Sequence, residues 1–287
     1  MLASRKVRQP SGYLPLLQKL GLKDLAPEAP AIAEFSSGEV MGHSSDRLAA
    51  TFGVSRAEQD EFAARSHRLA AAGHASGKLK EEIVAVDGET MDLGVRADSS
   101  VEKLSKLKPA FIKPHGTHTA ANSSYLTDGA AVTLIMSEEK ALAEGFKPKA
   151  YIKDYIFVSQ DPKDELLLGP AYAISKLMHR NGLKASDIDC FELHEAFAGQ
   201  VLANLAALDS DSFAKDKARV PSKVGRLDMD KVNPYGGSLS IGHPFGATGS
   251  RIVNTAANRL HWEDGKLALL AACAAGGQGH AMLLERV

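Results

Sequence analysis

The chain has 287 residues, 44% of them hydrophobic and 24% charged, a composition typical of a globular protein with a large core. Its formal net charge at pH 7 is −1, so nucleic-acid binding has no electrostatic support. The two cysteines, Cys190 and Cys273, are far apart and outside any zinc-ligand spacing, which argues against a metal site and a disulfide framework.

The first part of the chain predicts an irregular segment. Residues 1 to about 54 contain four prolines and several Gly/Ser pairs, which interrupt regular structure. An apolar stretch runs from Tyr13 to Leu25, and two alternatives stay open for it: packing against the protein or a partner, or peripheral contact with a membrane. No apolar run approaches the roughly 20 residues that a membrane-spanning helix needs.

Regular structure is predicted to begin at Ser55. Glu58 follows Ser55 at the spacing of a capping box, good helix formers continue from there, and Gly77 ends the run. Residues 83–100 predict short strands and turns, and residues 107–129 predict an extended loop.

From Ala130 the pattern changes to alternating strands and helices. The run AAVTLIM, residues 130–136, is typical of a buried strand, and a helix capped by Ser137 and ended by Gly145 follows it. The further elements predicted in chain order are strand 150–158, helix 170–180, strand 188–193, helix 196–208, a short strand near 231, helix 246–260 and strands 266–272 and 279–286. This order predicts an α/β fold whose sheet contains parallel pairs and ends in an antiparallel hairpin.

Three polar segments lie at strand and helix ends, where helix N-termini and glycine loops expose unpaired N–H groups. DCFELHEAFAG places His194 and Glu195 at a helix start, where a solvated cap is the commoner interpretation. Residues 233–250 surround His243 with five glycines and two prolines, which favours a functional imidazole over a core histidine. LLAACAAGGQGHAM ends an apolar strand at Cys273, and an inert thiol and a reactive one both fit this place.

In this order the three segments resemble the C-terminal signature blocks of the thiolase superfamily: N/H-E-A-F, G-G-x-x-x-x-G-H-P-x-G-A-[ST]-G and C-x-x-G-G-x-G. Upstream, GTHTAANSSYLTDGAA is similar to the family's GTVTAGNASxxxDGAA segment, and VMGHSSDRLAATFGVSRAEQDEFAARSH is similar to its loop-domain helix pattern, MG-x-[ST]-A-E followed by SREEQD-x-[FY]-A-x-x-S. His194 in place of the commoner asparagine points to the branch of the mitochondrial trifunctional protein β subunit and its bacterial long-chain relatives. The resemblance covers essentially the whole chain.

The resemblance implies a thiolase-like α/β fold. Residues 1–124 would form the loop domain, 125–148 the last strand and helix of the N-terminal domain, and 149–287 the complete C-terminal βαβαβαββ domain. The implied reaction belongs to fatty-acid β-oxidation: coenzyme A, a substrate rather than a permanently bound cofactor, cleaves a 3-ketoacyl-CoA to acetyl-CoA and a shortened acyl-CoA. An oligomer, a hydratase/dehydrogenase partner of the α-subunit type, and a mitochondrial location, or a cytoplasmic one in a bacterium, are implied as well.

The resemblance also implies four catalytic residues. His243 would lower the pKa of the nucleophilic cysteine and, with a water held by His194, bind the oxyanion. Cys273 would be the acid/base cysteine, which protonates the departing enolate and later deprotonates the CoA thiol. Gly276 would line a second oxyanion hole with its backbone N–H. We expect the two imidazoles and the Cys273 thiol to converge near one point.

Three more residues would contact the substrate by this resemblance. Ser124 would lie along the pantetheine arm, and Met41 and Phe197 would border the acyl pocket.

The nucleophilic cysteine of thiolases belongs to an N-terminal block that has no counterpart in this sequence. Cys190 lies mid-strand without a glycine-rich elbow, so we interpret it as a packed core thiol. We therefore expect another chain or a larger assembly to supply the N-terminal half, and expect AAVTLIM to lack sheet neighbours. The alternative is an inactive truncated paralogue that serves as a structural or CoA-binding subunit. A decarboxylating ketoacyl synthase is disfavoured, because those enzymes generally carry a second His or Asn where Cys273 stands.

Overall fold

A four-stranded mixed sheet organises the part of the chain that the computed structural model describes, which is Gly21 and residues 33–287. The strands are β1 (Ala150–Ser159), β2 (Cys190–Leu193), β3 (Leu267–Ala274) and β4 (Gln278–Arg286). Their order is β1-β4-β3-β2, with β2 and β3 parallel and the other two pairs antiparallel. The predicted final hairpin is confirmed, since β3 and β4 pair along their whole length.

Helices precede the sheet and alternate with its strands. They are α1 (Met41–Thr51), α2 (Arg56–Ala75), α3 (Val101–Ser105), α4 (Glu138–Ala143), α5 (Gly169–Arg180), α6 (Ala198–Leu208), α7 (Ser238–Ile241) and α8 (Gly246–Trp262). Short 3-10 turns lie at Leu79–Glu81, Ala185–Asp187 and Met229–Lys231, and a π-helical turn lies at Phe213–Ala218. No helix among these is long and apolar enough to cross a bilayer.

Local signals set several helix boundaries as predicted. The Ser55 side chain accepts a hydrogen bond from the Glu58 backbone N–H, and the Glu58 carboxylate accepts one from the Ser55 N–H, which completes the capping box of α2. Ser137 caps α4 through the Lys140 N–H. Gly77 follows α2 with a φ of +79°, a conformation that glycine adopts without steric cost.

The two faces of the sheet pack against different helices because strand side chains alternate in direction. Leu269 and Leu283 point into the main core, which α5 and α6 complete. On the other face, Cys190 and Leu270 pack against Ile252 of α8. The interpretation of Cys190 as a core thiol is confirmed by its complete burial.

The prediction of a buried strand at residues 130–136 is wrong for this structure. The run forms no strand, and Val132, Leu134 and Ile135 are 86%, 66% and 66% exposed. A strand needs a neighbouring strand whose backbone forms hydrogen bonds with its N–H and C=O groups. In the described part of the chain, no strand lies beside this run. Its backbone is held instead by Asn254 of α8, whose amide donates to the Val132 carbonyl at 2.9 Å.

Two other elements differ from the predictions. The stretch near residue 231 is a 3-10 turn, and Val232 makes only a single parallel bridge to Phe191, too little pairing for a strand. Residues 41–51, predicted as irregular, form α1, because the prolines behind that prediction all precede this run. The predictions for the Tyr13–Leu25 stretch concern residues that, apart from Gly21, lie outside the described part.

Arg259 ties α8 to β2 from a fully buried position. Its guanidinium donates to Glu192 Oε1 at 2.9 Å, to both carboxylate oxygens of Glu263, and to the carbonyl oxygens of Phe191 and Lys231. Burial raises the pKa of Glu192, and the adjacent Arg259 opposes this effect. The two buried charges therefore depend on each other.

We expect Arg259→Met to lower the free energy of unfolding by about 3–5 kcal/mol, because it leaves a buried carboxylate without its partner. Urea denaturation of the two proteins measures this difference. The control is Arg180→Met, which removes a pair with Asp154 whose arginine side chain is 48% exposed. We expect the control to cost less than about 1 kcal/mol. Equal losses in both variants would contradict the prediction.

Candidate active site

Two imidazoles meet beyond the carboxyl end of β2. His194 directly follows β2, and its backbone N–H donates to the Ala271 carbonyl of β3 at 2.9 Å. His243 follows α7, and its backbone N–H donates to the Tyr125 carbonyl at 2.9 Å. The ring centroids are 4.3 Å apart and the ring planes are inclined by 45°. The fold thus brings the two histidines together from separate signature segments.

A hydroxyl group orients each ring through its Nδ1 atom. His194 Nδ1 lies 3.1 Å from Ser238 Oγ, and His243 Nδ1 lies 2.8 Å from Thr248 Oγ1 in the first turn of α8. A hydroxyl can donate or accept, so each ring is held in place without being locked into one tautomer. Neither Nε2 atom makes a hydrogen bond within residues 33–287.

Burial keeps both imidazoles neutral at pH 7. It lowers the pKa of His243 to about 4, with a smaller contribution in the same direction from Arg251. Burial is also the largest cause that lowers the pKa of His194 well below 6.5, followed by the proximity of His243 and Arg251. A neutral imidazole offers one donor and one acceptor, so it can take a proton from a thiol or hydrogen-bond to an oxyanion.

Glu195 is buried, so the interpretation of this segment as a solvated cap is wrong. Its carboxylate accepts hydrogen bonds from Ser66 Oγ and Asn233 Nδ2, both at 2.7 Å, and a longer one of 3.4 Å from the Leu239 N–H. Burial raises its pKa, and these hydrogen bonds oppose that effect. At Gly237 a Cβ atom would stand 2.5 Å from the Glu195 carboxyl carbon, so that position requires glycine. The network fixes α7, which carries the hydroxyl that orients His194.

Two residues beside His243 were not identified from the sequence. The Phe245 ring packs edge-on against His243 with centroids 4.9 Å apart, and its φ of +40° is rare for a residue with a side chain. Arg251 lies in the second turn of α8, and its Nη1 atom is 3.8 Å from Glu192 Oε2. In sequence both look like ordinary members of a helix start.

Cys273 lies near the end of β3, two residues beyond the carbonyl that accepts the His194 N–H. Burial raises the pKa of the Cys273 thiol to about 12, so the group is protonated at pH 7. Cys273 is one of the residues that line a cavity of about 390 Å³, together with Phe157, Gln278 and His280. Neither His194 nor His243 lines this cavity. The structure brings the two imidazoles together, but it shows no contact between them and the Cys273 thiol.

The turn after Cys273 depends on glycine. Gly276 is exposed and has a φ of +83°, and Gly277 has a φ of +68°. At Gly277 a Cβ atom would stand 2.3 Å from the Gln160 carbonyl oxygen. Only glycine allows the turn to approach this loop so closely.

The candidate substrate-binding residues lie on two elements. Ser124 donates its backbone N–H to the Ala196 carbonyl at 2.9 Å, and the preceding Ser123 forms an isolated bridge with Phe197. Ser124 and Phe197 are therefore neighbours at the start of α6. Met41 is the first residue of α1 and packs against the main core.

A buried Ser–His–Asp chain next to Phe197 was also missed. Ser45 Oγ lies 2.9 Å from His118 Nε2, and His118 Nδ1 lies 2.9 Å from Asp46 Oδ1. No local sequence pattern marked it, because Ser45 and His118 are 73 positions apart in the chain. In residues 33–287 no group of three or more His, Cys, Asp or Glu is arranged to hold a metal ion.

Comparisons with known proteins agree with these features. The chain is 58% identical over 289 residues to the mitochondrial trifunctional enzyme subunit beta of Mus musculus. This match covers 99% of this chain and 61% of the mouse protein. It is 57% identical over 291 residues to a probable 3-ketoacyl-CoA thiolase of Caenorhabditis elegans, with coverages of 99% and 65%. The crystal structure of human mitochondrial 3-ketoacyl-CoA thiolase in complex with CoA superimposes with a TM-score of 0.76 at 31% identity, over 89% of this chain and 61% of that one.

The chain spans about three-fifths of the length of the mouse relative, and the whole match falls within one longer polypeptide. These relatives therefore give no support to the expectation that a separate chain supplies the nucleophile.

Two protein-family models together match almost the entire sequence. The thiolase N-terminal domain matches residues 16–139, and the thiolase C-terminal domain matches residues 146–286. With the paired imidazoles and the fold, these matches show that the chain belongs to the thiolase superfamily.

Proposed function

We propose that this chain provides the C-terminal part of the active site of a 3-ketoacyl-CoA thiolase, an acetyl-CoA C-acyltransferase. The observation that carries this proposal is the pair of neutral imidazoles with ring centroids 4.3 Å apart. A buried histidine and a half-buried one so close together cannot both be charged, and the Nδ1 atom of each has a hydroxyl partner. The names of the mouse and nematode relatives support the same activity.

His243 and His194 serve the first half of the reaction. A cysteine thiolate attacks the ketone carbon, and negative charge develops on the ketone oxygen. His243 takes the proton of that cysteine through Nε2, and the ring then donates toward the oxyanion together with a water held by His194. The hydroxyl partners accommodate both ring states, because a hydroxyl accepts from a protonated Nδ1 and donates to an unprotonated one.

Cys273 serves the proton transfers. As the carbon–carbon bond breaks, its S–H gives a proton to the α-carbon of the departing acetyl-CoA enolate and becomes a thiolate. That thiolate then takes the proton of the incoming CoA thiol, which attacks the acyl-enzyme. A thiol pKa of about 12 fits this cycle, because the group starts protonated and regains its proton readily. The Gly276 N–H stabilises the oxyanion of the second step.

The remaining residues bind the substrate. Ser124 lies along the pantetheine arm of CoA, and Met41 and Phe197 border the acyl pocket. Residues 1–124 act as a loop domain, 125–148 as the tail of the N-terminal domain and 149–287 as the C-terminal domain. The CoA complex of a structural neighbour supports coenzyme A as a substrate. The name of the mouse relative supports a mitochondrial location and a larger assembly with an α-type subunit.

Thiolysis of a 3-ketoacyl-CoA, followed as loss of enolate absorbance, tests the proposal. It is measured with the chain alone and with an added polypeptide that carries the N-terminal block of a thiolase. CoA-dependent activity that appears only with the added polypeptide, and is lost in His243→Ala, supports the proposed function. Binding of CoA without turnover in both preparations would support the alternative, an inactive CoA-binding subunit.

We expect the His243 imidazole to titrate at about 4 in the folded chain, followed by NMR as its carbon resonances shift with pH. The unfolded value is 6.5, so the unfolded chain binds the proton more readily. The stability contribution of the neutral ring is therefore complete above about pH 6.5 and is lost as the pH falls toward 4. The melting temperature should fall less over this interval in His243→Asn. A His243 titration near 6.5 would contradict the role of burial.

We expect Cys273→Ala to reduce kcat/KM for thiolysis by about 10²–10⁴-fold, because it removes the proton donor and acceptor. Cys190→Ala is the matched control, since Cys190 is also a thiol whose pKa burial raises to about 12. Its loss should leave the rate unchanged while lowering stability. If the two variants lost the same activity, the proton-transfer role would be wrong.

A further inference from the structure

The turn that joins His243 to α8 contains a strained backbone. A hydrogen bond of 3.1 Å from the Ala247 N–H to the Pro244 carbonyl closes a four-residue turn, with Phe245 at its second position. Phe245 has a φ of +40° and a ψ of −95°, which lies nearest to a type II′ turn. Glycine, asparagine and aspartate dominate that position, because a bulkier side chain crowds the backbone there. A phenylalanine therefore occupies a position that local chemistry assigns to glycine.

Glycine stands one position later, where the backbone does not require it. At Gly246 a Cβ atom would meet no other part of the chain within 4 Å. The described non-glycine residues that share a positive φ with Phe245 all carry polar side chains: Asp87, Arg219, Asn233 and Asp264. An aromatic residue in this conformation departs from a local rule, and such departures collect at functional sites.

Burial of the phenyl ring does not offset the strain, since Phe245 is 62% exposed. The flanking structure holds the turn in place instead. Before the turn, Pro244 lies so close to Gly129 that a Cβ atom on this glycine would stand 2.8 Å from Pro244 Cγ. After it, the Thr248 N–H donates to the Phe245 carbonyl at 3.2 Å as α8 begins. A strained conformation persists where its surroundings determine it in this way.

The strained turn places the phenyl ring against the His243 imidazole. The ring centroids are 4.9 Å apart and the ring planes are inclined by 83°, which is an edge-on contact. The imidazole is half-buried, and His194 also contacts it, with centroids 4.3 Å apart. Phe245 therefore supplies an apolar contact to a ring that is otherwise next to polar groups.

The titratable and charged groups that face His243 come from the elements around it: His194 after β2, Arg251 of α8 with its partner Glu192, and Tyr125, whose carbonyl accepts the His243 N–H. Of these, Arg251 is the group whose charge lowers the pKa of His243, and burial is the larger cause in the same direction. Burial acts by excluding water from the ring, and an apolar neighbour contributes to that exclusion.

We propose that Phe245 is a positioning residue for His243: its strained turn holds the phenyl ring against the imidazole, where it excludes water and keeps the imidazole neutral. Phe245 acts through His243 and takes no part in bond making. This inference deepens the proposed function and rests on it for the catalytic meaning of His243, since only a neutral imidazole can take the proton of a thiol.

NMR titration of the His243 imidazole in the full chain tests the inference with three variants of one position. Phe245→Ala removes the ring and keeps the strained backbone, Phe245→Gly removes both, and Phe245→Tyr keeps both. We expect the His243 titration midpoint to rise from about 4 toward 6.5 in Phe245→Ala and Phe245→Gly, by about half a pH unit or more. The midpoint should stay unchanged in Phe245→Tyr.

Melting temperatures measure the strain separately. Glycine adopts a positive φ without steric conflict, so Phe245→Gly should melt about 2–4 °C above Phe245→Ala. The matched control is Arg219→Gly, which relieves a φ of +58° at an exposed residue. The turn before Arg219 packs in the main core, on the face of the sheet opposite α8. This control should leave the His243 titration unchanged.

An unchanged His243 titration in Phe245→Ala and Phe245→Gly would overturn the inference, and so would the same rise in Arg219→Gly. A fall of the midpoint would mean that the phenyl ring stabilises the charged imidazole by a cation–π contact, which is the opposite role. Equal melting temperatures of Phe245→Ala and Phe245→Gly would contradict the strained turn. Should Phe245→Ala fail to fold, the titration of Phe245→Gly against Phe245→Tyr decides.

The thiolysis assay separates this inference from the proposed function. If the chain with the added polypeptide is active, the loss of kcat/KM on the acid side should begin at a higher pH in Phe245→Gly, because the base stays protonated to a higher pH. Activity with an unchanged acid side would overturn the inference alone. If the parent chain with the added polypeptide is inactive, the proposed function fails, and the NMR titration decides whether Phe245 shields His243.

Discussion

The parallel pairing of β2 with β3 determines where His194 and Cys273 stand relative to each other. The register joins Leu193 to Ala271, and the next hydrogen bond, from the His194 N–H to the Ala271 carbonyl, carries the pairing into the loop. His194 is therefore fixed beside the strand that leads to Cys273. The carboxyl ends of both strands open at the same edge of the sheet, which is where parallel strands collect functional groups.

Helix α8 depends on this pair of strands through charge as well as packing. Arg259 and Glu192 bury opposite charges between the helix and β2, and Ile252 packs below them. The first turn of α8 supplies Thr248, which orients His243. A buried ion pair costs more to form than an apolar contact, but it is directional, so it fixes the last turn of α8 relative to β2.

Burial decides the chemistry of the site. The same desolvation that lowers the pKa of His243 raises that of Cys273, so both groups are neutral at pH 7. Neutral groups can exchange protons with a substrate without first shedding a strongly held charge. Phe197 is held differently, through edge-on ring contacts with Phe111 and with the buried His118 rather than through charge.

The sequence by itself determined most of the secondary structure, the order of the elements and the candidate residues. Local chemistry suffices for those: Ser55 caps α2 through its own neighbours, and the glycines after Cys273 force the final turn. Pairing with distant residues decided the rest. The apolar run at residues 130–136 is a strand only if another strand accepts it, and Glu195 is a buried network member rather than a cap because Ser66 and Asn233 come to it from far along the chain. The partnership of Ser45 with His118 likewise exists only in the fold, since hydrogen bonds across long sequence separations leave no periodic signal.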